Sequence, residues 1–264
     1  DRTDENGKTV YGLRPWEKHE FEPYPDDVYQ EQLYAIKYET SEGKRYYRAP
    51  NQHDKNNERT VHKIVAENII EWQEHGLVPS MEIETGYNTD QLIRERGWMY
   101  WHQLFNARQL LVSAVYLKEN NKFAIDKKDR TIGLLTINRM ANWNSKLCQW
   151  SSYHTQECGL QTFYNQALNT FFNYSTRSLL GMNASCIFDI NTYSVCPHSN
   201  ITITDARDIT TDADIWLTDP PYADAVNYHE LSEFFLAWDK HLLAKAFPQW
   251  YTDSKRVLAV RGGE

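Results

Sequence analysis

Along four stretches of the chain, apolar residues return every three to four positions, the spacing that lines up one face of an α-helix. Val61, Val65, Ile69 and Trp72 form the first stripe, with Gly76 placed to end the helix. Leu104, Ala107, Leu111 and Val115 predict a helix over residues 102–117. Tyr164, Leu168, Phe171 and Leu179 predict another over 162–180, before Gly181. Leu231, Phe234, Phe235, Trp238 and Leu242 mark a broad buried stripe over 228–243.

Strand patterns are shorter. Residues 33–38 and 44–48 flank Ser41-Glu42-Gly43 and predict a β-hairpin ahead of the first helix. Residues 200–204 are rich in β-branched side chains, and 257–260 form a further apolar run. Residues 1–27 are polar and punctuated by Pro15, Pro23 and Pro25, which suits an extended wrapping segment. Residues 79–97 read as a loop-rich connection.

The most informative run is Asp214-Ile215-Trp216-Leu217-Thr218-Asp219-Pro220-Pro221-Tyr222. Its apolar centre predicts a buried strand, and the two prolines, lacking N–H groups and fixing φ, end it near Asp219. A carboxylate and a prolyl carbonyl then share a stiff loop with an aromatic ring. Together they suit a planar amine: Asp219 and the Pro220 carbonyl accept hydrogen bonds from an exocyclic amino group, and Tyr222 stacks on the attached ring. Pro-Pro-Tyr also suits a simple packed turn.

The tetrapeptide Asp219-Pro220-Pro221-Tyr222 resembles the signature loop of S-adenosylmethionine-dependent amino-methyltransferases. Its continuation through Ala223-Asp224-Ala225-Val226-Asn227-Tyr228 to Glu230-Leu231-Ser232-Glu233-Phe234-Phe235 is similar to the large prokaryotic adenine-specific DNA methylases. Tyr46-Tyr47-Arg48-Ala49-Pro50, His102-Gln103-Leu104-Phe105-Asn106-Ala107-Arg108-Gln109-Leu110 and Asn165-Gln166-Ala167-Leu168-Asn169 have the same family look. The resemblance implies an α/β fold, an incomplete class I (Rossmann-like) methyltransferase sheet with a helical and β-hairpin accessory region. It implies S-adenosyl-L-methionine as cofactor, the N6 amine of DNA adenine as substrate, and Asp205, at a second strand end, near the cofactor's adenine. Residues 1–97 are then an accessory hairpin and helical region, 98–199 a mainly helical DNA-facing or sheet-covering region, and 200–264 a partial catalytic core.

No glycine-rich strand–turn–helix precedes the loop, and Gly262-Gly263 follows residues 257–260 too late for a helix to form. The resemblance therefore implies a longer protein with its cofactor motif before Asp1 and further strands after Glu264. A non-catalytic DNA-binding or scaffold subunit is the competing reading, and RNA or cytosine amines are neighbouring substrates. Protein-glutamine methylation fits the sequence around Tyr222 less well.

Asp224 and Asn227 suit either substrate contact or capping of the following helix. Asn165, Asn169 and Asn173 recur every fourth residue and suit either a polar seam toward DNA or cofactor or a solvated face. Arg108 is a candidate for facing DNA, with Arg94, Arg96 and Arg139, or for an internal ion pair. The formal charge of −8, from 28 Lys and Arg against 36 Asp and Glu, excludes a global positive field for nucleic acid and leaves room only for a local groove. Cys148, Cys158, Cys186 and Cys196 are too widely spaced for a paired-cysteine metal knuckle, even with His154 and His198 nearby, and no metal is assigned. No signal peptide or long apolar span appears, which predicts a cytoplasmic protein whose partners are DNA and proteins of a DNA-modification or defence system, with no membrane.

Overall fold

A short polar side chain that covers the first free N–H groups starts a helix, and α1 (Gln52–Glu74) begins this way. Asn51 accepts from the Asp54 N–H at 3.0 Å, and Asp54 accepts from the Asn51 N–H at 2.9 Å. The computed structural model describes residues 2–3, 5, 7, 9–10, 12–151, 157–164, 168, 175–186, 200–202, 204, 208–219 and 227–248. After α1 comes α2 (Asp90–Arg96), which ends at Gly97 with φ 72°. That left-handed conformation and the close approach of the Arg14 carbonyl both require glycine, since a Cβ would overlap the Arg14 oxygen. A 3₁₀ turn at Trp101–Leu104 leads into α3 (Ala107–Phe123), where Asn106 and Gln109 repeat the reciprocal cap at 3.0 and 2.9 Å. Asp126 caps α4 (Lys127–Trp143) by accepting from the Asp129 N–H at 2.9 Å. Two more helices follow, α5 (Leu179–Cys186) and α6 (Tyr228–Ala246).

The strands pair locally. β1 (Arg2–Thr3) pairs with β2 (Thr9–Val10), β3 (Ile36–Glu39) with β4 (Arg45–Arg48), and β5 (Trp150–Ser151) with β6 (Cys158–Gly159), each pair antiparallel. The β3–β4 hairpin carries Tyr38 stacked on Tyr46, and the Lys37 ammonium bonds the Glu157 carbonyl beside β6.

α3 packs between α1 and α4, and α6 lies along α4. The stripe Val61, Val65, Ile69 and Trp72 is buried against Leu110, Ala114 and Leu117 of α3 in one continuous core. Residues 12–35 wrap that core. Trp16 and Phe21 are buried in it, the Trp16 N–H donates to the Gly97 carbonyl at 2.8 Å, and the Arg14 guanidinium forks onto Asp27 with two bonds of 2.9 Å.

These findings correct the expected Rossmann-like sheet. The chain is mostly helical, and every strand pair among the described residues is antiparallel and four residues long or less. The physical reason is that the apolar stripes of α1, α3, α4 and α6 bury one another, so no parallel sheet organises the core among the described residues. The predicted strand ending at Asp219 is coil, with Ile215 85 % and Leu217 96 % exposed, and no described strand lies beside it to complete a ladder. Residues 200–202 and 204 are likewise not strand. Of the helix expected over 162–180, residues 162–164 form a turn and 175–178 coil, α5 begins at its predicted end, and 165–167 and 169–174 lie outside the described residues. The expected strand at 257–260 lies outside the described residues. No described helix is long and apolar enough to cross a membrane.

Candidate functional site

Five residues separate α6 from the run 219–222, and the helix is anchored by an aromatic cluster and by a carboxylate. Phe234 is fully buried and sits at the centre of an aromatic cluster: it stacks on Phe105 at 5.6 Å and meets Phe163 and Phe235 edge-on at 5.1 and 5.2 Å. Trp238, one turn on, meets Phe105 edge-on at 5.0 Å. Four residues before Phe234 on the same face, Glu230 is buried as well. Its carboxylate accepts from the Tyr87 N–H at 2.8 Å and the Asn88 N–H at 2.6 Å, and the His229 Nε2 lies 3.8 Å from it.

This contact joins the start of α6 to the turn before α2. Gly86 has its place there for a steric reason, since a Cβ would collide with the Glu230 carboxylate. The turn is closed internally by the Asp90 N–H donating to the Gly86 carbonyl at 3.0 Å and by the Thr89 hydroxyl donating to the Glu84 carbonyl at 2.6 Å. Tyr87 points its ring into solvent. Beside Glu230, the His229 ring is nearly buried, and its Nδ1 has no hydrogen-bond partner among the described residues.

Of the residues singled out by sequence, Asp219 is an exposed coil residue at the end of 208–219. Pro220, Pro221, Tyr222, Asp224, Asp205 and Asn165 lie outside the described residues. Asn227 stands at the N-terminus of α6, where its carbonyl accepts from the Glu230 N–H at 3.1 Å and its side chain makes no capping bond. Arg108 lies on α3, away from this helix end, with its guanidinium Nε 2.9 Å from Glu58 of α1 and a second contact to the same carboxylate. The structure thus brings Asn227, Glu230 and the 86–88 turn together and ties Arg108 elsewhere. Glu230, Gly86 and Tyr87 escape a reading by motif. The available signals were an acid one turn before Phe234 and a Gly-Tyr-Asn turn.

Among the described residues, no glycine-rich turn leads from a strand into a helix. Among them, the glycines with positive φ are Gly7, Gly12, Gly43, Gly76 and Gly97. Gly43 closes the hairpin and Gly76 and Gly97 follow helices, so none turns a strand into a helix beneath a ligand. An open groove of about 410 Å³ lies between α1 and α6, lined by Lys18, His19, Gln73, Glu74, Lys240 and His241 among others. It includes none of the sequence-predicted site residues. Burial, helped by Lys240 and Lys245, holds His241 below the usual histidine range.

Elsewhere the buried polar groups are structural. His102 lies fully buried, donates from Nε2 to the Glu20 carbonyl at 2.9 Å and accepts at Nδ1 from the Gln73 amide at 3.4 Å. Burial pushes its pKa down to about 3, so the neutral ring is the working form. Lys146, also fully buried, pairs with Glu31 at 2.6 Å and lies 5.2 and 5.4 Å from the Trp16 and Trp98 ring centres. Among the described residues no cluster of His, Cys, Asp and Glu has the makings of a metal site. No protein-family model, curated protein or solved structure matches the chain.

Proposed function

We propose that this chain carries the amine-presenting segment of an S-adenosylmethionine-dependent methyltransferase acting on the N6 amine of adenine in DNA. The observation that carries the reading is the run Asp219-Pro220-Pro221-Tyr222 with its continuation into α6. An acid and a prolyl carbonyl accept hydrogen bonds from the amine and orient the nitrogen lone pair toward the methyl group. Tyr222 stacks on a base withdrawn from the duplex. No histidine base is needed at the outset, because the amine nitrogen becomes strongly acidic once it has been alkylated. The roles assigned to this chain are therefore those that face the amine, and the anchoring of α6 by Phe234 and Glu230 supports a steady base for them.

The test is Asp219→Ala in the protein at its natural length, with methyl incorporation into unmodified DNA, DNA binding and circular dichroism read together. Asp219 is exposed, so the variant should fold normally. Methyl transfer should fall about a hundredfold or more, the scale for loss of an oriented polar contact at a reacting centre. Near-normal turnover with a normal spectrum would sink the assignment.

A second reading, a non-catalytic DNA-binding or scaffold subunit, is favoured by the lack of a glycine cradle among the described residues. Titration calorimetry with S-adenosylmethionine separates the two. Binding by the intact protein supports the enzyme, and a folded protein that binds DNA but no cofactor supports the scaffold.

A further inference from the structure

We infer that the groove between α1 and α6 binds the phosphate group of a small molecule, at a site formed by Lys18, His19, Lys240 and His241. Its volume of about 410 Å³ suits such a ligand, since small-molecule sites run from about 300 to 1,000 Å³. In a chain whose formal charge is −8, the groove gathers two lysines and two histidines against one acid, Glu74. Neither lysine is paired with an acid among the described residues. The inference is independent of the methyl-transfer reading.

Both imidazoles are held in place. Gln73 is buried, and its amide nitrogen donates to the Lys18 and Pro79 carbonyls at 3.0 and 3.2 Å, which leaves its oxygen to accept from His19 Nδ1 at 2.7 Å. His19 therefore carries a proton on Nδ1, and its Nε2 is left for a ligand. That nitrogen either gains a second proton and donates to an oxyanion or accepts from a singly protonated phosphate. His241 packs against Gly76, which has φ 68° and where a Cβ would overlap the imidazole ring. Groups fixed before binding lose little freedom when the anion arrives.

The cations are not engaged in capping α1, whose last turn lines the groove. The Glu71, Trp72 and Gln73 carbonyls accept from the N–H groups of His75, Leu77 and Gly76 at 3.0, 2.7 and 3.2 Å. Charged groups reach the groove from three parts of the chain: Lys18 and His19 from the wrapping segment, Glu74 from α1, and Lys240 and His241 from α6. Donors on separate walls suit a tetrahedral oxyanion better than a flat carboxylate. An anion beside Lys240 also offsets the repulsion that Lys240 and Lys245 add to burial in holding His241 below the usual histidine range. Binding therefore draws protons onto the imidazoles and strengthens as pH falls.

The experiment is titration calorimetry on the protein at its natural length, with inorganic phosphate as probe at about pH 6 and about pH 8. Sulfate, which stays fully ionised between them, separates titration of the imidazoles from titration of phosphate. One site per chain is expected, with a Kd of about a millimolar or below at the lower pH and weaker binding of both anions at the higher. Lys240→Gln should raise the Kd roughly tenfold, the scale of one charge-assisted hydrogen bond. His19→Asn, which keeps a donor for Gln73 and deletes Nε2, should do the same. Glu74→Gln should lower the Kd about threefold, a sign that loss of the fold cannot produce. Asp219→Ala should leave phosphate binding unchanged, so this site and the methyl-transfer reading fail separately. A folded wild type that binds neither anion overturns the inference, and so does a Kd unchanged in both Lys240→Gln and His19→Asn, which marks an adventitious ion only. If a short DNA duplex loses affinity in Lys240→Gln while inorganic phosphate does not, the groove is a DNA contact and the small-molecule assignment falls.

Discussion

Glu230 and His102 are both buried and polar, yet they are settled in opposite ways. Glu230 accepts from two backbone N–H groups, whereas His102 lies between a carbonyl acceptor and a weak amide donor that require a neutral ring with its proton on Nε2. The second arrangement has a consequence for acid stability. The folded pKa of His102 is about 3, below the unfolded value near 6.5, so the unfolded chain binds a proton that the folded one refuses. Its contribution is fully present above about pH 6.5 and is lost progressively as pH falls toward 3, with a slope of up to about 1.4 kcal/mol per pH unit. Urea denaturation between pH 7 and pH 4 should show this slope, and His102→Gln, destabilised at neutral pH, should show a shallower one. Equal slopes for the two proteins would mean that another group dominates the acid limb.

Among the elements, helix starts divide into two kinds. α1, α3 and α4 open on side-chain caps, whereas α6 opens on Asn227 without one. Asn106→Ala should therefore cost about 1 kcal/mol of stability, and Asn227→Ala less than about 0.5 kcal/mol, both read from chemical denaturation midpoints. A large stability loss in Asn227→Ala would show that it caps after all. If stability is unchanged while methyl transfer falls, the amide belongs to the site and not to the helix. α4 shows how an element evades its pattern. Its buried positions Gly133, Thr136, Ile137, Met140 and Ala141 mix small and polar residues, which blur the apolar stripe, although Asp126 and Asp129 mark its start. α6 is the opposite case, with Phe234, Trp238 and Leu242 all buried as their spacing predicts.

At the scale of the whole molecule, residues 12–35 act as a clasp over the helical core. The Glu31–Lys146 pair ties this clasp to the segment after α4, with the lysine wholly buried and the glutamate partly exposed. Removing the acid strands a buried ammonium, so Glu31→Ala should cost about 2 kcal/mol, less than a fully buried pair because water reaches Glu31. Adding Lys146→Met should recover most of that loss, and a double variant as weak as the single one would refute the pairing as the cause. The same scale explains what was legible in advance. Residues 61–72 and 231–242 specify helices by themselves, since an α-helix closes its hydrogen bonds within the segment and its stripe needs only some apolar surface to cover it. The β3–β4 hairpin was equally local, its register running from Ile36 opposite Arg48 to Glu39 opposite Arg45. Ile215, Trp216 and Leu217 have the side chains of a buried strand but lie exposed, because a strand's hydrogen bonds belong to whichever segment lies beside it. The role proposed for Asp219 likewise rests on its own neighbours in the chain. The contact between Glu230 and the turn at Gly86, Tyr87 and Asn88 joins residues 142 and 143 positions apart, and only the packing of α6 into the core brings that carboxylate within reach of those two N–H groups.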